Sequence, residues 1–264
     1  MPASQKRQRK KEGRQARQQA ALAARRRRSR RNTVIATVVI MAVVIAVIAA
    51  FSGGGGTSKS TKASSTNTTT APSGAALKGD TPCPKADGTS ARTTSYAKPP
   101  PMCIDPAKTY TATMATTKGS MTIALDAKAA PKTVNNFVVL ARYHFYDGLT
   151  FHRIVPDFVI QGGDPKGNGS GGPGYAFADE LPAAGKYKVG SLAMANSGPD
   201  TNGSQFFIIT GAEGMALPPQ YSLFGQVTDG LATVDAIAKL GVPGAPNGRP
   251  SETVKMTSVT IAES

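Results

Sequence analysis

One stretch near the N-terminus constrains this chain more than any other feature. Residues 34–51 carry no charged side chain, and as a helix they would extend about 27 Å, enough to cross the hydrocarbon core of a bilayer. Residues 32–51 are therefore predicted to form one transmembrane helix, retained as a signal anchor. A cleaved signal peptide is the main alternative, although its apolar region is usually only about 7–15 residues long.

The residues before this stretch carry most of the charge of the chain. Residues 1–31 contain thirteen Lys and Arg against the single acid Glu12, which accounts for +12 of the formal net charge of +15. Because basic flanks stay on the cytoplasmic side, we predict a cytoplasmic tail and place everything after Phe51 outside the cell membrane. The tail is suited to anionic lipid headgroups. Nucleic-acid binding is not favoured, since no aromatic residues lie among its charges.

Two segments of different composition follow the predicted helix. Residues 52–80 are rich in Gly, Ser and Thr and have few large apolar side chains, so we predict a flexible linker. Residues 81–106 form an extension that contains Cys83 and Cys103, the only cysteines in the chain. An even cysteine count on the exported side of a membrane favours a disulfide between them. A metal site is not favoured, because neither thiol has a second Cys or a His at ligand spacing.

From residue 107 to residue 264 the pattern is that of a compact, mainly β domain. Segments that alternate apolar and polar residues flank Lys118-Gly119 and predict a β-hairpin. One helix is predicted to begin at Pro131, and a second is predicted around Val234. Further short strands are predicted at Phe151–Ile160, Gly190–Ala195, Gln205–Thr210, Ser222–Val227 and Thr253–Ala262. Short strands punctuated by Gly and Pro, together with two helices, favour a closed barrel capped by the helices.

Several common site patterns are present only in part. Residues 167–172 match G-x-G-x-x-G, but Pro173 follows where a dinucleotide-binding motif needs a helix to begin. His144 and His152 are not at metal-ligand spacing, and a structural role is favoured for His152. Ser204 lies in an Asn-Gly turn and not in a G-x-S-x-G elbow. These patterns argue against nucleotide-dependent, metal-dependent and hydrolytic chemistry, so we expect no cofactor and no metal.

Two longer strings remain. The first is Phe151-His-Arg-Ile-Val-Pro-Asp-Phe-Val-Ile-Gln-Gly-Gly-Asp164, and the second is Met194-Ala-Asn-Ser-Gly-Pro-Asp-Thr-Asn-Gly-Ser-Gln-Phe-Phe-Ile208. In isolation, Arg153 would be read as a solvated strand charge and the second string as an ordinary turn and core. Together, in this order and at this separation, the strings resemble the two signature blocks of the cyclophilin family of peptidyl-prolyl cis-trans isomerases. The similarity covers about residues 107–264 and implies an eight-stranded antiparallel closed barrel with two helices.

The resemblance implies a role for each matching residue. Arg153 would be the catalytic arginine. The other positions would bind the substrate: Phe158, Val159 and Phe207 around the proline ring, Gln161 and Asn196 at the substrate backbone, Ala195 and Gln205 along the groove beside it, and Leu217 and Tyr221 near the third wall. The sequence departs from the family pattern at Tyr221, where the family has His, and at Ala216, where many members have Trp. Affinity for cyclosporin-type ligands therefore does not follow from the resemblance.

The sequence thus predicts a membrane-tethered, extracytoplasmic isomerase that accelerates rotation about X-Pro bonds of exported polypeptides. Because this rotation can limit folding, the expected role is assistance of protein folding, by a monomer and without ATP. The alternative is a non-catalytic scaffold module that binds Pro-containing peptides at the membrane. Arg153 argues against that alternative, since a pure binder would not need the arginine.

Overall fold

The computed structural model describes residues 73–264, so the predicted tail and the predicted anchor helix 32–51 lie outside the described residues. Within residues 73–264, none of the helices combines the length and the apolar character that crossing a membrane requires. The elements in chain order are β1 (Ala75–Leu77), β2 (Thr93–Tyr96), β3 (Tyr110–Thr116), β4 (Gly119–Leu125), α1 (Pro131–Arg142), β5 (Arg153–Val155), β6 (Val159–Gly162), β7 (Ser191–Met194), β8 (Phe206–Ile209), α2 (Ala212–Met215), β9 (Leu223–Asp229), α3 (Leu231–Ala238), a 3₁₀ turn (Pro246–Gly248) and β10 (Met256–Glu263).

Eight of these strands form one antiparallel sheet in the order β10-β3-β4-β9-β7-β8-β6-β5. The predicted hairpin is confirmed, because β3 and β4 pair without a break as far as Thr116 and Gly119. The single predicted strand Phe151–Ile160 is wrong, since the chain forms β5, a turn and then β6. Pro156 explains the break, because proline has no N–H to donate to a strand ladder.

The sheet curls but does not close into the barrel that the sequence predicted. β5 and β10 stand at opposite ends of the strand order and do not pair with each other. The start of β10 instead meets the segment before β5, where the Met256 N–H donates to the Leu149 carbonyl at 2.8 Å and the Phe151 N–H donates to the Val254 carbonyl at 3.0 Å. The three-residue strand β5 has the loop at Gly248 against it, and a Cβ on this glycine would lie 2.9 Å from Arg153 Cγ. Because the loop at Gly248 lies against the short strand β5, the edge of β5 is not free to pair with β10.

α1 begins at Pro131 as predicted, because proline suits the first helical position, where an N–H would lack a partner in the helix. The sequence predicts one apolar stripe, yet the helix is buried at every position from 133 to 142. The extension also packs on this helix: the Asn135 side chain accepts from the Cys103 N–H at 2.7 Å and donates to the Pro101 carbonyl at 2.8 Å. α1 therefore contacts both the main core and the extension.

The extension is an integral part of the folded domain. Residues 75–77, which the sequence assigned to the linker 52–80, form β1 and pair in parallel with β2. The short Ala-Ala-Leu segment has no alternating pattern that would predict a strand. It forms one here because it pairs with β2, which is also short. The disulfide between Cys83 and Cys103 is present. Further along, Tyr96 is only 2% exposed and belongs to the main hydrophobic core.

Candidate active site

Neighbouring strands place the principal side chains of the site in one row. Arg153 on β5 is the direct partner of Gln161 on β6, and Gln161 is the partner of Phe207 on β8. Ala193 on β7 extends the row, because it is the partner of Phe207 on its other side. Directly opposed residues project to the same face of a sheet. Strand register therefore brings together residues from two distant strings of the sequence.

This face of the sheet carries a pocket of about 200 Å³. Nine of the ten predicted site residues line it: Arg153, Phe158, Val159, Gln161, Ala195, Asn196, Phe207, Leu217 and Tyr221. The tenth, Gln205, lines an adjoining groove of about 670 Å³, which shares Gln161, Ala195 and Asn196 with the pocket. The structure thus brings all ten residues to two connected depressions.

The floor of the pocket is a small hydrophobic cluster separate from the main core. Val159 and Phe207 belong to it and are only 1% and 5% exposed. The rings of Phe207 and Tyr221 meet edge to face, with their centroids 5.3 Å apart and an interplanar angle of 84°. Aromatic pairs favour this geometry, and it adds to the energy of area burial. The apolar pocket therefore has a well-packed floor and an aromatic wall.

Tyr187 supports this wall, and the sequence did not predict it. Its hydroxyl donates to the Tyr221 carbonyl at 2.7 Å and accepts from the Tyr221 N–H at 3.1 Å. Both backbone groups of Tyr221 are thereby held by one buried side chain. The only signal in the sequence is an aromatic residue between two lysines, Lys186 and Lys188, which is typical of many exposed strands and does not point to a site.

The turn between β5 and β6 presents Phe158 to the pocket. Asp157 has a φ of 57°, in the left-handed region that Asp tolerates better than most residues. Its carboxylate accepts from the Ala212 N–H at 2.8 Å, and its carbonyl accepts from the Glu213 N–H at 3.0 Å. These bonds satisfy free N–H groups at the start of α2. The short helix and the turn therefore fix each other, and with them the position of Phe158.

Arg153 is a partly buried cation whose guanidinium makes no ion pair with a residue in the described part of the chain. Its Nη1 donates to Gln161 Oε1 over a long 3.3 Å, and its Cζ lies 5.4 Å from the ring centroid of Phe158. Burial lowers the pKa of Arg153, and the nearby Tyr221 partly opposes that effect. An arginine still remains protonated near neutral pH. The guanidinium can therefore donate to a group in the pocket.

The groove beside the pocket is held by side-chain amides. Gln205 Nε2 donates to the carbonyls of Gly169 and Gly171 at 3.0 and 2.9 Å, and its Oε1 accepts from Gln161 Nε2 at 3.0 Å. With the bond from Arg153 to Gln161, a continuous hydrogen-bonded chain joins the Gly-rich loop to the guanidinium. On the other wall, Asn196 Nδ2 donates to the Gln220 carbonyl at 2.9 Å.

The third wall of the pocket contains the predicted departure from the family pattern. Leu217 and Tyr221 line the pocket, whereas Ala216 does not. Ala216 is the exposed C-cap residue of α2. With only a methyl group at that position, the third wall depends on Leu217 and on the ring of Tyr221.

Comparison with known proteins agrees with this geometry. The family model described as cyclophilin type peptidyl-prolyl cis-trans isomerase/CLD matches residues 111–261. The peptidyl-prolyl cis-trans isomerase A of Mycobacterium tuberculosis is 46% identical over 175 residues, which cover 60% of this chain and 94% of the relative.

Solved structures give the same result. The crystal structure of a cyclophilin type peptidyl-prolyl cis-trans isomerase of Cryptosporidium parvum matches with a TM-score of 0.53 and 32% identity, over 58% of this chain and 98% of the other. A crystal structure of that protein in the presence of the dipeptide Ala-Pro matches with a TM-score of 0.52. Register, pocket and relatives converge: this chain belongs to the cyclophilin family and is a peptidyl-prolyl cis-trans isomerase.

Proposed function

We propose that Arg153 is the catalytic residue of this isomerase and that Phe158, Val159 and Phe207 hold the proline ring of the substrate. The observation that carries the proposal is the row from Arg153 through Gln161 to Phe207, which sets a cation beside an apolar pocket. The Cryptosporidium parvum protein, crystallised in the presence of Ala-Pro, supports a proline-containing ligand.

The chemistry follows from the electronic structure of the peptide bond. Resonance gives the bond a rotation barrier of about 18–20 kcal/mol, so an X-Pro bond isomerises in tens to hundreds of seconds without a catalyst. When the bond twists, resonance is lost and the prolyl nitrogen regains a lone pair. The Arg153 guanidinium donates to that nitrogen, which accepts poorly in the planar ground state. The hydrogen bond therefore stabilises the transition state more than the substrate.

The remaining predicted residues hold the chain on either side of the proline. Gln161 and Asn196 bind the substrate backbone, and Ala195 and Gln205 line the groove that receives flanking residues. Leu217 and Tyr221 form the wall that keeps the ring in place. One flank is held while the other turns, so the enzyme needs no covalent intermediate.

The substrate is a proline-containing segment of an exported polypeptide, and the enzyme is tethered to the cell membrane by residues 32–51. The charge-flanked apolar run 34–51 supports this topology. The disulfide between Cys83 and Cys103 supports it as well, because such bonds persist in oxidising compartments. The domain would then assist folding after export.

The test of the site is turnover of an Ala-Pro peptide by the full-length chain and its Arg153→Ala variant. A fall in kcat/KM of about 10²–10³ is expected, the size typical for loss of one donor to a transition state. Arg249→Ala removes a nearby exposed charge that does not line the pocket and should leave turnover unchanged. Full activity of Arg153→Ala would exclude the proposed role. If the variant loses turnover but still binds the peptide and keeps its biological function, the scaffold alternative is favoured.

The topology has its own test. In intact cells, a protease added from outside should digest a tag placed after Ser264, while a tag before residue 1 should stay protected until the membrane is opened. Protection of both tags would contradict the exported location. Release of the domain into the medium would instead indicate that the apolar run is cleaved.

A further inference from the structure

The N-terminal extension contacts the substrate groove at Tyr96. Its backbone N–H donates to the Pro173 carbonyl at 2.8 Å. The next residue of the loop, Gly174, has a φ of +111°, and a Cβ there would collide with the Tyr96 carbonyl oxygen. The loop and the extension thus run in such close contact that only glycine fits.

The side chain of Tyr96 anchors this contact in the core. The ring is 2% exposed, and its centroid lies 5.9 Å from that of Tyr143 and 6.2 Å from that of Tyr175. Its hydroxyl donates to the Thr93 carbonyl at 2.9 Å. Tyr175, which lines the groove, donates in turn to Asn136 Oδ1 at 2.6 Å. Tyr96 therefore holds the loop by its backbone and packs against one of its side chains.

The loop held in this way is the one that orients the groove amides. The carbonyls of Gly169 and Gly171 accept from Gln205, which accepts from Gln161, which accepts from Arg153. The apolar floor of the pocket has no such dependence, because Val159 and Phe207 lie on paired strands. Displacement of the loop should therefore loosen the groove and leave the pocket formed.

We propose that Tyr96 is a positioning residue for the substrate groove, acting through the loop 169–175 on Gln205 and Gln161. The inference rests on the proposed function of the pocket and groove. Tyr96 lies outside residues 111–261, the part that the family model matches. The extension is then part of the substrate-binding apparatus of this enzyme, and it sets the affinity for residues that flank the proline.

The test compares two peptides on the full-length chain by NMR exchange: Ala-Pro-Ala, which fills the pocket, and Ala-Ala-Ala-Ala-Pro-Ala, which also reaches the groove. In Tyr96→Ala, KM for the long peptide should rise about tenfold, the effect of losing about one hydrogen bond, while KM for the short one stays within about twofold. Tyr96→Phe keeps the ring and should retain wild-type KM for both. Tyr110→Ala removes an equally buried tyrosine from β3 and should lower only stability.

A second variant keeps the inference testable if Tyr96→Ala fails to fold. Gly174→Ala leaves every core side chain in place but forces the loop away from Tyr96, and the same selective rise in KM is expected. Gly79→Ala, between β1 and the extension, is its control, because no atom lies within 4 Å of the added methyl group. The double variant Tyr96→Ala/Gln205→Ala should be no worse than Gln205→Ala, since both changes act on the same contact.

Equal effects on the two peptides, or no effect on either in a folded Gly174→Ala variant, would overturn the inference. Those results are distinct from failure of the proposed function. If the proposed function is wrong, Arg153→Ala will retain turnover of the short peptide, whatever the variants of the extension do.

Discussion

The proposed proline pocket and the groove beside it are built in different ways. The pocket stands on residues of paired strands, with Val159 and Phe207 buried in a hydrophobic cluster. The groove wall is a Gly-rich loop that forms no strand, and side-chain amides such as that of Gln205 hold it in place. One region is fixed by packing and register, and the other by a chain of hydrogen bonds.

This difference suits the two regions to different parts of the substrate. The proline ring is common to all substrates, so a rigid apolar pocket can serve every one of them. Flanking residues vary, and a groove held by hydrogen bonds can be altered without damage to the pocket. Packing defects in the floor of the pocket should therefore reduce the activity toward every substrate, whereas defects in the chain of side-chain amides should reduce only the activity toward extended substrates.

Among the variants that distinguish the pocket from the groove, the largest effect is expected from Phe207→Ala. Truncation of a buried Phe typically costs about 3–5 kcal/mol of unfolding free energy. Here it also removes the pocket floor and the partner of Tyr221, so kcat/KM should fall at least about hundredfold for short and long peptides alike.

The matched control for this variant is Phe206→Ala, on the same strand but on the opposite face. Phe206 is fully buried in the main core, where it meets Phe137 and Tyr146 edge to face. Its loss should destabilise the domain at least as much and leave kcat/KM near wild type at a temperature where the variant is folded. Equal loss of activity in both variants would show that stability, not the pocket, is being measured.

A smaller and selective effect is expected from Gln205→Ala. The change breaks the link between the loop carbonyls and Gln161, so kcat/KM for a peptide that reaches the groove should fall about tenfold. For Ala-Pro-Ala it should change by less than about twofold. Gln226→Ala also removes a glutamine that donates to a backbone carbonyl, that of Val189, but on β9 outside the site, and should change neither value. A loss that is independent of peptide length would contradict the division between pocket and groove.

The predictability of the site from sequence differs between the same two regions. Seven of the nine pocket residues lie in the two long strings, and a family resemblance assigns Arg153, Phe158 and Phe207 without a structure. The walls do not follow in this way. Tyr187 acts through its hydroxyl on the backbone of Tyr221, and Tyr96 acts through its backbone on Pro173. Such contacts join segments distant in the chain and leave no spacing or periodicity to detect.

The fold shows the same limit. The hairpin, the start of α1 at Pro131 and the mainly β character follow from local pattern and are confirmed. Closure of the barrel depends on tertiary contacts, here those of the Gly248 loop with β5, and the predicted closed barrel was wrong. The strand β1 was missed for a similar reason, because its stability comes from its pairing with Thr93–Tyr96.

The smallest expected effect tests His152, which stands where the two regions meet, next to Arg153 in the chain and close to Gly169 of the groove loop. Burial lowers its pKa from the ordinary 6.5, and Arg153 lowers it further, while Asp164 opposes both. The unfolded chain therefore binds more protons than the folded one between the lowered pKa and about 6.5. Stability should fall as the pH drops through that window.

The measurement is the unfolding free energy in denaturant between about pH 7.5 and pH 5.5, for the wild type and for His152→Phe. The wild type should lose stability across the range, and the variant, which has no ring to protonate, should lose less. Glu263 does not interfere, because its pKa is lowered from 4.5 by the hydrogen bond from Arg142 and its contribution is lost only at lower pH. Parallel curves for the two proteins would mean that His152 is not the group that titrates, and that the junction of pocket and groove is insensitive to its charge.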